Sequence, residues 1–152
     1  MKESLYTTDN PVFAGYAFYA AFLIFKMILM SFLTGYQRQR KKVFVNAEDA
    51  TLAGAELKGV QDEDVERIRR AHLNDLENIP IFLISGLILV AADPNVIFAL
   101  MMFRLYFIAR LGHTIVYAVY VVRQPVRTIF FFTGVIINII IVFTIFVYFP
   151  QL

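Results

Sequence analysis

The chain has 152 residues, a formal net charge of +2, no cysteine and a 59% hydrophobic composition that includes 16 Phe and 8 Tyr. This composition, with a mean hydropathy of +0.66, fits one membrane-type domain over residues 1–152 rather than a soluble core. Its positive charges are too few and too scattered for nucleic acid; the lack of cysteine excludes disulfides, thiolate metal sites and a cysteine nucleophile, so any thiol must arrive with a ligand.

In chain order, residues 1–10 are polar and the apolar run after them is too long for the core of a cleavable signal, so the first helix is expected to be retained. That run, residues 12–36, is interrupted only by Lys26. At about 1.5 Å per residue it exceeds the roughly 30 Å of hydrocarbon and can span with tilt. The motif Asn46-Ala47-Glu48-Asp49 reads as a turn or helix cap, with Asp49 as a candidate acid at the mouth of a cleft. A dense polar stretch from Glu66 to Asn78 then runs straight into Ile79-Pro80-Ile81-Phe82. The apolar part is short by itself, so the second span is expected over 65–92 with its start in the polar stretch and a disturbance at Pro80. Asp93-Pro94-Asn95 signals a turn. The third and fourth spans are expected over 95–122 and 127–149, separated by Arg123-Gln124-Pro125. The resulting fold class is all-α, an integral membrane four-helix up-down bundle.

Loop charge gives an orientation. Arg38, Arg40, Lys41, Lys42 and Lys58 flank the first loop and Arg123 and Arg127 the third, while the second loop has no basic residue and the termini at most Lys2. By the positive-inside rule the first and third loops face the cytosol.

Charged groups at membrane depth face a bundle interior, a cavity or a ligand. On the second helix Arg70, Asn74 and Glu77 share one face, flanked by Glu66 and Leu73; on the third, Arg110, His113, Thr114 and Tyr117 share another. Two such stripes can line one cleft, with Arg38 and Arg127 at its rim. Guanidinium forks suit carboxylates and Glu77 suits an ammonium group. A ligand with two carboxylates and an amine uses the whole set, and glutathione is such a ligand and also brings a thiol. A free thiol has a pKa of about 8.5, so a cation must hold the thiolate; Arg127, with Thr128 beside it, is the candidate. Taken singly, the same residues have plainer readings: Arg38 and Arg123 as snorkelling anchors, Glu66–Arg70 as an intrahelical pair, His113 and Tyr117 as packing. Arg67 and Arg69 read as solvated. Lys26 and Arg104, each disfavoured by about 2.5–3.5 kcal/mol at a helix centre, read as structural, Lys26 pairing with another helix or snorkelling and Arg104 pairing with Asp93 or another chain.

The segments Lys42-Val43-Phe44-Val45-Asn46-Ala47-Glu48-Asp49, Glu66-Arg67-Ile68-Arg69-Arg70-Ala71-His72-Leu73-Asn74-Asp75-Leu76-Glu77-Asn78, Ala109-Arg110, His113-Thr114, Tyr117 and Gln124-Pro125-Val126-Arg127 resemble the MAPEG family of membrane enzymes of eicosanoid and glutathione metabolism. Within it the chain is more similar to the glutathione transferase branch than to the prostaglandin E synthases, which have Arg where Leu73 stands and Tyr where Phe131 stands. Ala50 replaces a cysteine of the mammalian transferases, which implies no activation by thiol reagents. The resemblance implies a homotrimer in the endoplasmic reticulum or outer mitochondrial membrane, with glutathione sites between subunits facing the cytosol. It implies a glutathione site of Arg38, Arg70, His72, Asn74, Glu77, Arg110, His113 and Tyr117, with Arg127 near the sulfur and no metal. The expected activity is conjugation of glutathione to lipophilic electrophiles and reduction of lipid hydroperoxides. Its alternatives are glutathione-dependent prostaglandin E synthesis and a non-enzymatic membrane scaffold.

Overall fold

Asn10 opens the first helix. Its side-chain oxygen accepts the Val12 amide at 2.9 Å, and Pro11 supplies a first-turn residue whose missing amide proton is not needed. In the computed structural model, which describes residues 5–55 and 62–149, helix α1 covers Pro11–Lys41. A short helix α2, Ala47–Leu52, follows with Asn46 as its first flanking residue. Asp62 caps α3, Glu63–Ala91, by accepting the amides of Asp64 and Val65, and Glu63, Asp64 and Glu66 place negative charge at the positive end of the helix dipole. Asn95 caps α4, Val96–Thr114, through the Phe98 amide. The chain then widens into a π-helical turn, Ile115–Val119, before α5, Val126–Tyr148. Lys58 and Lys2, used in the charge asymmetry, and residues 150–152 lie outside the described residues.

Among the described residues, four helices are long and apolar enough to cross a membrane: α1, α3, α4 with its π turn, and α5. Their ends differ from expectation for physical reasons. The first helix continues past residue 36 to Lys41, whose ammonium reaches Asp62 at 3.4 Å and Asp64 at 2.8 Å across the loop. The third span does not hold α-helical winding to residue 122; it stops at Thr114 and opens into the π turn, closed by a Tyr120 amide to Ile115 carbonyl bond of 2.7 Å.

The helices circulate in the order α1–α3–α5–α4, with α3 and α4 diagonal to each other. Aromatic packing fixes the membrane-deep half. Phe82 stacks on Tyr106 at 4.1 Å, and Tyr16 donates to the Leu83 carbonyl at 2.6 Å. Gly86 permits this approach, since a Cβ there would stand 2.9 Å from the Tyr16 ring. The Asn78 carbonyl, two residues before Pro80, accepts from Tyr106 Oη at 2.8 Å and from Asn138 Nδ2 at 3.4 Å, so α4 and α5 are both tied to α3 at this level.

The diagonal is bridged by charge. Asp75 of α3, wholly buried, accepts Lys26 Nζ of α1 at 2.6 Å on one oxygen and Arg110 Nη2 of α4 at 2.5 Å on the other. Lys26 therefore pairs within the bundle rather than snorkelling. Gly134 of α5 leaves room for the stem of Arg110, whose Cδ would lie 3.4 Å from a Cβ at that position. Within the chain Arg104 donates from Nε to Tyr19 Oη at 3.2 Å, tying α4 to α1, and does not pair with Asp93.

Removing one partner of a buried ion pair leaves its counter-charge uncompensated, typically at a loss of about 3–5 kcal/mol. Asp75→Ala, which strands Lys26 and Arg110 together, is expected to lose stability on that scale. Lys26→Met, which keeps the neutral Asp75–Arg110 pair, should lose much less. Thermal unfolding in detergent measures both; an Asp75→Ala protein as stable as the parent would refute the central role of this carboxylate.

Candidate functional site

At the end of the bundle where α3, the π turn and α5 meet, a pocket of about 450 Å³ is lined by Arg70, Leu73, Asn74, Glu77, His113, Tyr117, Arg127, Thr128, Phe131 and Phe132. Helical spacing on α3 puts Arg70, Leu73, Asn74 and Glu77 on one face, and the first turns of α5 supply the opposite wall.

Tyr117 organises the wall between them. Its hydroxyl accepts Arg70 Nε at 3.3 Å, its ring lies 4.3 Å below the Arg127 guanidinium carbon, and its edge meets His113 at 5.6 Å between centroids. The π turn places Tyr117 in this position, in a stretch where winding is neither α-helical nor extended. A cation over an aromatic face gains about 0.5–1 kcal/mol when exposed and more when desolvated. Arg127 is further held by Gln124. With the amide oxygen turned toward the guanidinium, which can only donate, Gln124 accepts from Nη2 at 2.7 Å and Nε at 3.3 Å, and its nitrogen donates to Thr128 Oγ1 at 2.7 Å.

Among the described residues, Arg70, Glu77 and Arg127 form no ion pair. Glu66 pairs with Arg69 at 2.8 Å rather than with Arg70, and Arg67 reaches Glu63 and Asp64. Two guanidinium groups and a carboxylate thus converge on one cavity without answering each other, beside an imidazole, a carboxamide, a phenol and a hydroxyl. Such a set binds a zwitterionic ligand with more than one anionic group.

Of the residues singled out by sequence, Arg70, Asn74, Glu77, His113, Tyr117 and Arg127 come together in this pocket. Arg110 does not line it. It lies wholly buried beneath the floor, bonded to Asp75 and, at 2.8 Å, to Asn74 Oδ1. Because α3 and α4 are diagonal, their two polar stripes meet only through long side chains, Arg110 reaching Asn74 below and Arg70 reaching Tyr117 above, and α5 completes the cleft. Arg38, at the far end of α1, and His72, half-buried on α3, are also outside the lining. Asp49 is paired with Asn46 Nδ2 at 3.2 Å and is likewise not at the pocket. Phe131 stands where a tyrosine would have offered a phenol; its ring centre lies 6.4 Å from that of His113. Sequence reasoning passed over Asp75 and Gln124. The signal for Asp75 was Lys26, a buried cation that required an acid at matching depth.

A model of the MAPEG family matches residues 16–147. The chain is 41% identical over 138 residues to microsomal glutathione S-transferase 1 of Homo sapiens, covering 88% of each chain. It is 42% identical over 130 residues to the protein of that name from Rattus norvegicus, covering 83% of each. To prostaglandin E synthase of Homo sapiens it is 36% identical over 121 residues, covering 80% of this chain and 79% of that one.

Stacking on Tyr117 should shield the Arg127 side chain by the ring current. In spectra of arginine-labelled protein the Arg127 Nε–H signal is expected upfield in the parent and in Tyr117→Phe, and to return toward its ordinary position in Tyr117→Leu. An Arg127 signal indifferent to all three would disprove the stacking.

Proposed function

Because the chain belongs to the MAPEG family, we propose that this multi-pass membrane protein is a glutathione transferase whose pocket binds glutathione and whose Arg127 holds the sulfur as thiolate. One observation carries this reading: Arg70, Arg127 and Glu77 converge in one cavity with no counter-charge from their own chain among the described residues. Glutathione carries two carboxylates and one ammonium group, which are complementary to two guanidinium groups and one carboxylate.

The chemistry follows from the site's parts. Arg70 and Glu77 anchor the charged ends of the tripeptide. Arg127, kept in place by the Tyr117 ring and Gln124, presents its positive charge to the sulfur and lowers the free energy of the thiolate relative to the thiol. The Thr128 hydroxyl is an additional donor at the same wall. The thiolate then forms a bond to carbon of an electrophile, displacing a leaving group or adding across an activated double bond; with a lipid hydroperoxide it would instead attack the distal oxygen and break the O–O bond, giving a sulfenic acid and an alkoxide that takes up a proton, and a second glutathione would convert the sulfenic acid to the disulfide and water.

Supply of that second substrate from the bilayer has a physical basis. Below the pocket the α3–α5 groove continues as an apolar cleft of about 300 Å³ lined by Asn78, Ile81, Val135, Asn138, Ile139, Val142 and Phe143. A lipophilic electrophile dissolved in the membrane can lie in this cleft with its reactive end directed to the sulfur, so that proximity does much of the catalytic work. In this reading the pocket faces the cytosol from the endoplasmic reticulum or outer mitochondrial membrane; the basic ends of the first and third loops support the cytosolic orientation through the positive-inside rule. Arg38 and His72, absent from the lining of the single chain, reach a site from a neighbouring copy in a homotrimer.

The deciding experiment measures glutathione binding by calorimetry in detergent together with conjugation of chlorodinitrobenzene and reduction of a lipid hydroperoxide. No binding would leave the scaffold reading; binding with endoperoxide isomerisation and no consumption of glutathione would make the protein a prostaglandin E synthase. Arg127→Ala is expected to lower kcat at least about tenfold with little change in glutathione affinity. Arg70→Ala and Glu77→Gln should weaken affinity first. Full turnover in Arg127→Ala would remove the thiolate role from that residue.

A further inference from the structure

Arg110 and Asn74 together carry an inference that rests on the reading of the pocket as a glutathione site. We infer that the buried Lys26–Asp75–Arg110 cluster is a positioning device that orients the Asn74 carboxamide, so that its nitrogen donates into the pocket and selects a ligand with an acceptor at that place.

The geometry admits one orientation. Arg110 is wholly buried, and its Nη2 lies 2.5 Å from Asp75 Oδ1 and 2.8 Å from Asn74 Oδ1. A guanidinium group has only donors, so the atom of Asn74 that faces it must be the amide oxygen. The amide nitrogen is then turned the other way. Asn74 lines the pocket, and that nitrogen forms none of the hydrogen bonds found among the described residues, whereas the neighbouring Asn78 spends its own nitrogen on the Asn74 carbonyl at 2.8 Å. Without Arg110 the amide could rotate and present either an acceptor or a donor; with it, one of the two faces is fixed before the ligand arrives.

The anchor is itself immobile. Asp75 is wholly buried and its second oxygen is bound by Lys26 at 2.6 Å, so the carboxylate is held from α1 and α4 at once. Gly134 of α5 leaves room for the Arg110 stem. Three transmembrane helices, α1, α3 and α4, therefore contribute charged groups to the placement of one amide hydrogen. Arg110 is a positioning residue in this scheme. It does not touch the ligand, and its effect passes through Asn74.

A double-mutant cycle on glutathione affinity, read by calorimetry on the full-length protein in detergent, separates this from a merely structural role. Arg110→Met keeps the neutral Lys26–Asp75 pair and should weaken binding roughly tenfold, the scale of one oriented hydrogen bond to a charged group. In an Asn74→Ala background the same change should have less than about a twofold effect. Equal effects in both backgrounds would overturn the inference. If Arg110→Met does not fold, Asn74→Asp decides instead, because it leaves the cluster intact. A carboxylate there still accepts from Arg110 yet offers no donor, so it should bind at least as poorly as Asn74→Ala. Affinity restored by Asn74→Asp to within twofold of the parent would refute donation from this position. If the unaltered protein binds no glutathione, the function proposed above fails and takes this inference with it; binding together with an additive cycle overturns this inference alone.

Discussion

The carboxylate of Asp75 is the constraint around which the bundle is arranged. It joins α3 to α1 through Lys26 and to α4 through Arg110, and all three side chains are buried. In a medium of low dielectric constant an unpaired charge is strongly disfavoured, so three groups of fixed length determine how close three helices can come. Gly134 follows from this arrangement, since the fourth helix must leave space for the guanidinium stem. Helix packing in lipid lacks a hydrophobic drive between helices, and polar contacts of this kind supply register that apolar side chains cannot.

The pocket above the cluster shows the opposite economy of charge. Below, every ionised group has a partner; above, Arg70, Glu77 and Arg127 have none among the described residues. Surface charges of α3 one turn away pair locally, Arg67 with Glu63 and Asp64 and Arg69 with Glu66, so on α3 the charges left without an ion pair, Arg70 and Glu77, are the two that line the cavity. Tyr117 keeps the two guanidinium groups apart and directed, one through its hydroxyl and one through its ring face. The π turn that carries it marks the point at which α4 gives up regular hydrogen bonding to bring a phenol into position.

Much of this was legible in the sequence. Hydropathy gave four spans and the polar stretch from Glu66 to Asn78 gave the start of the second, because period and length follow from local backbone geometry. Spacing put Arg70, Asn74 and Glu77 on one face for the same reason. It also aligned Arg110 with His113 and Tyr117, but a helical wheel does not show depth. Arg110 and His113 share a stripe, yet the first turns inward to Asp75 while the second borders the cavity.

What the sequence by itself determined is therefore the membrane class, the helices, their faces and the kinds of charge available to a ligand, all properties of residues near one another in the chain. Only the tertiary structure decided which charges cancel and which remain. Lys26 and Asp75 are 49 positions apart and Asp75 and Arg110 are 35 apart. Their pairing depends on the circular order of the helices, with α3 and α4 diagonal and α5 closing the cleft. That order is set by side-chain packing across the bundle, which no local pattern encodes.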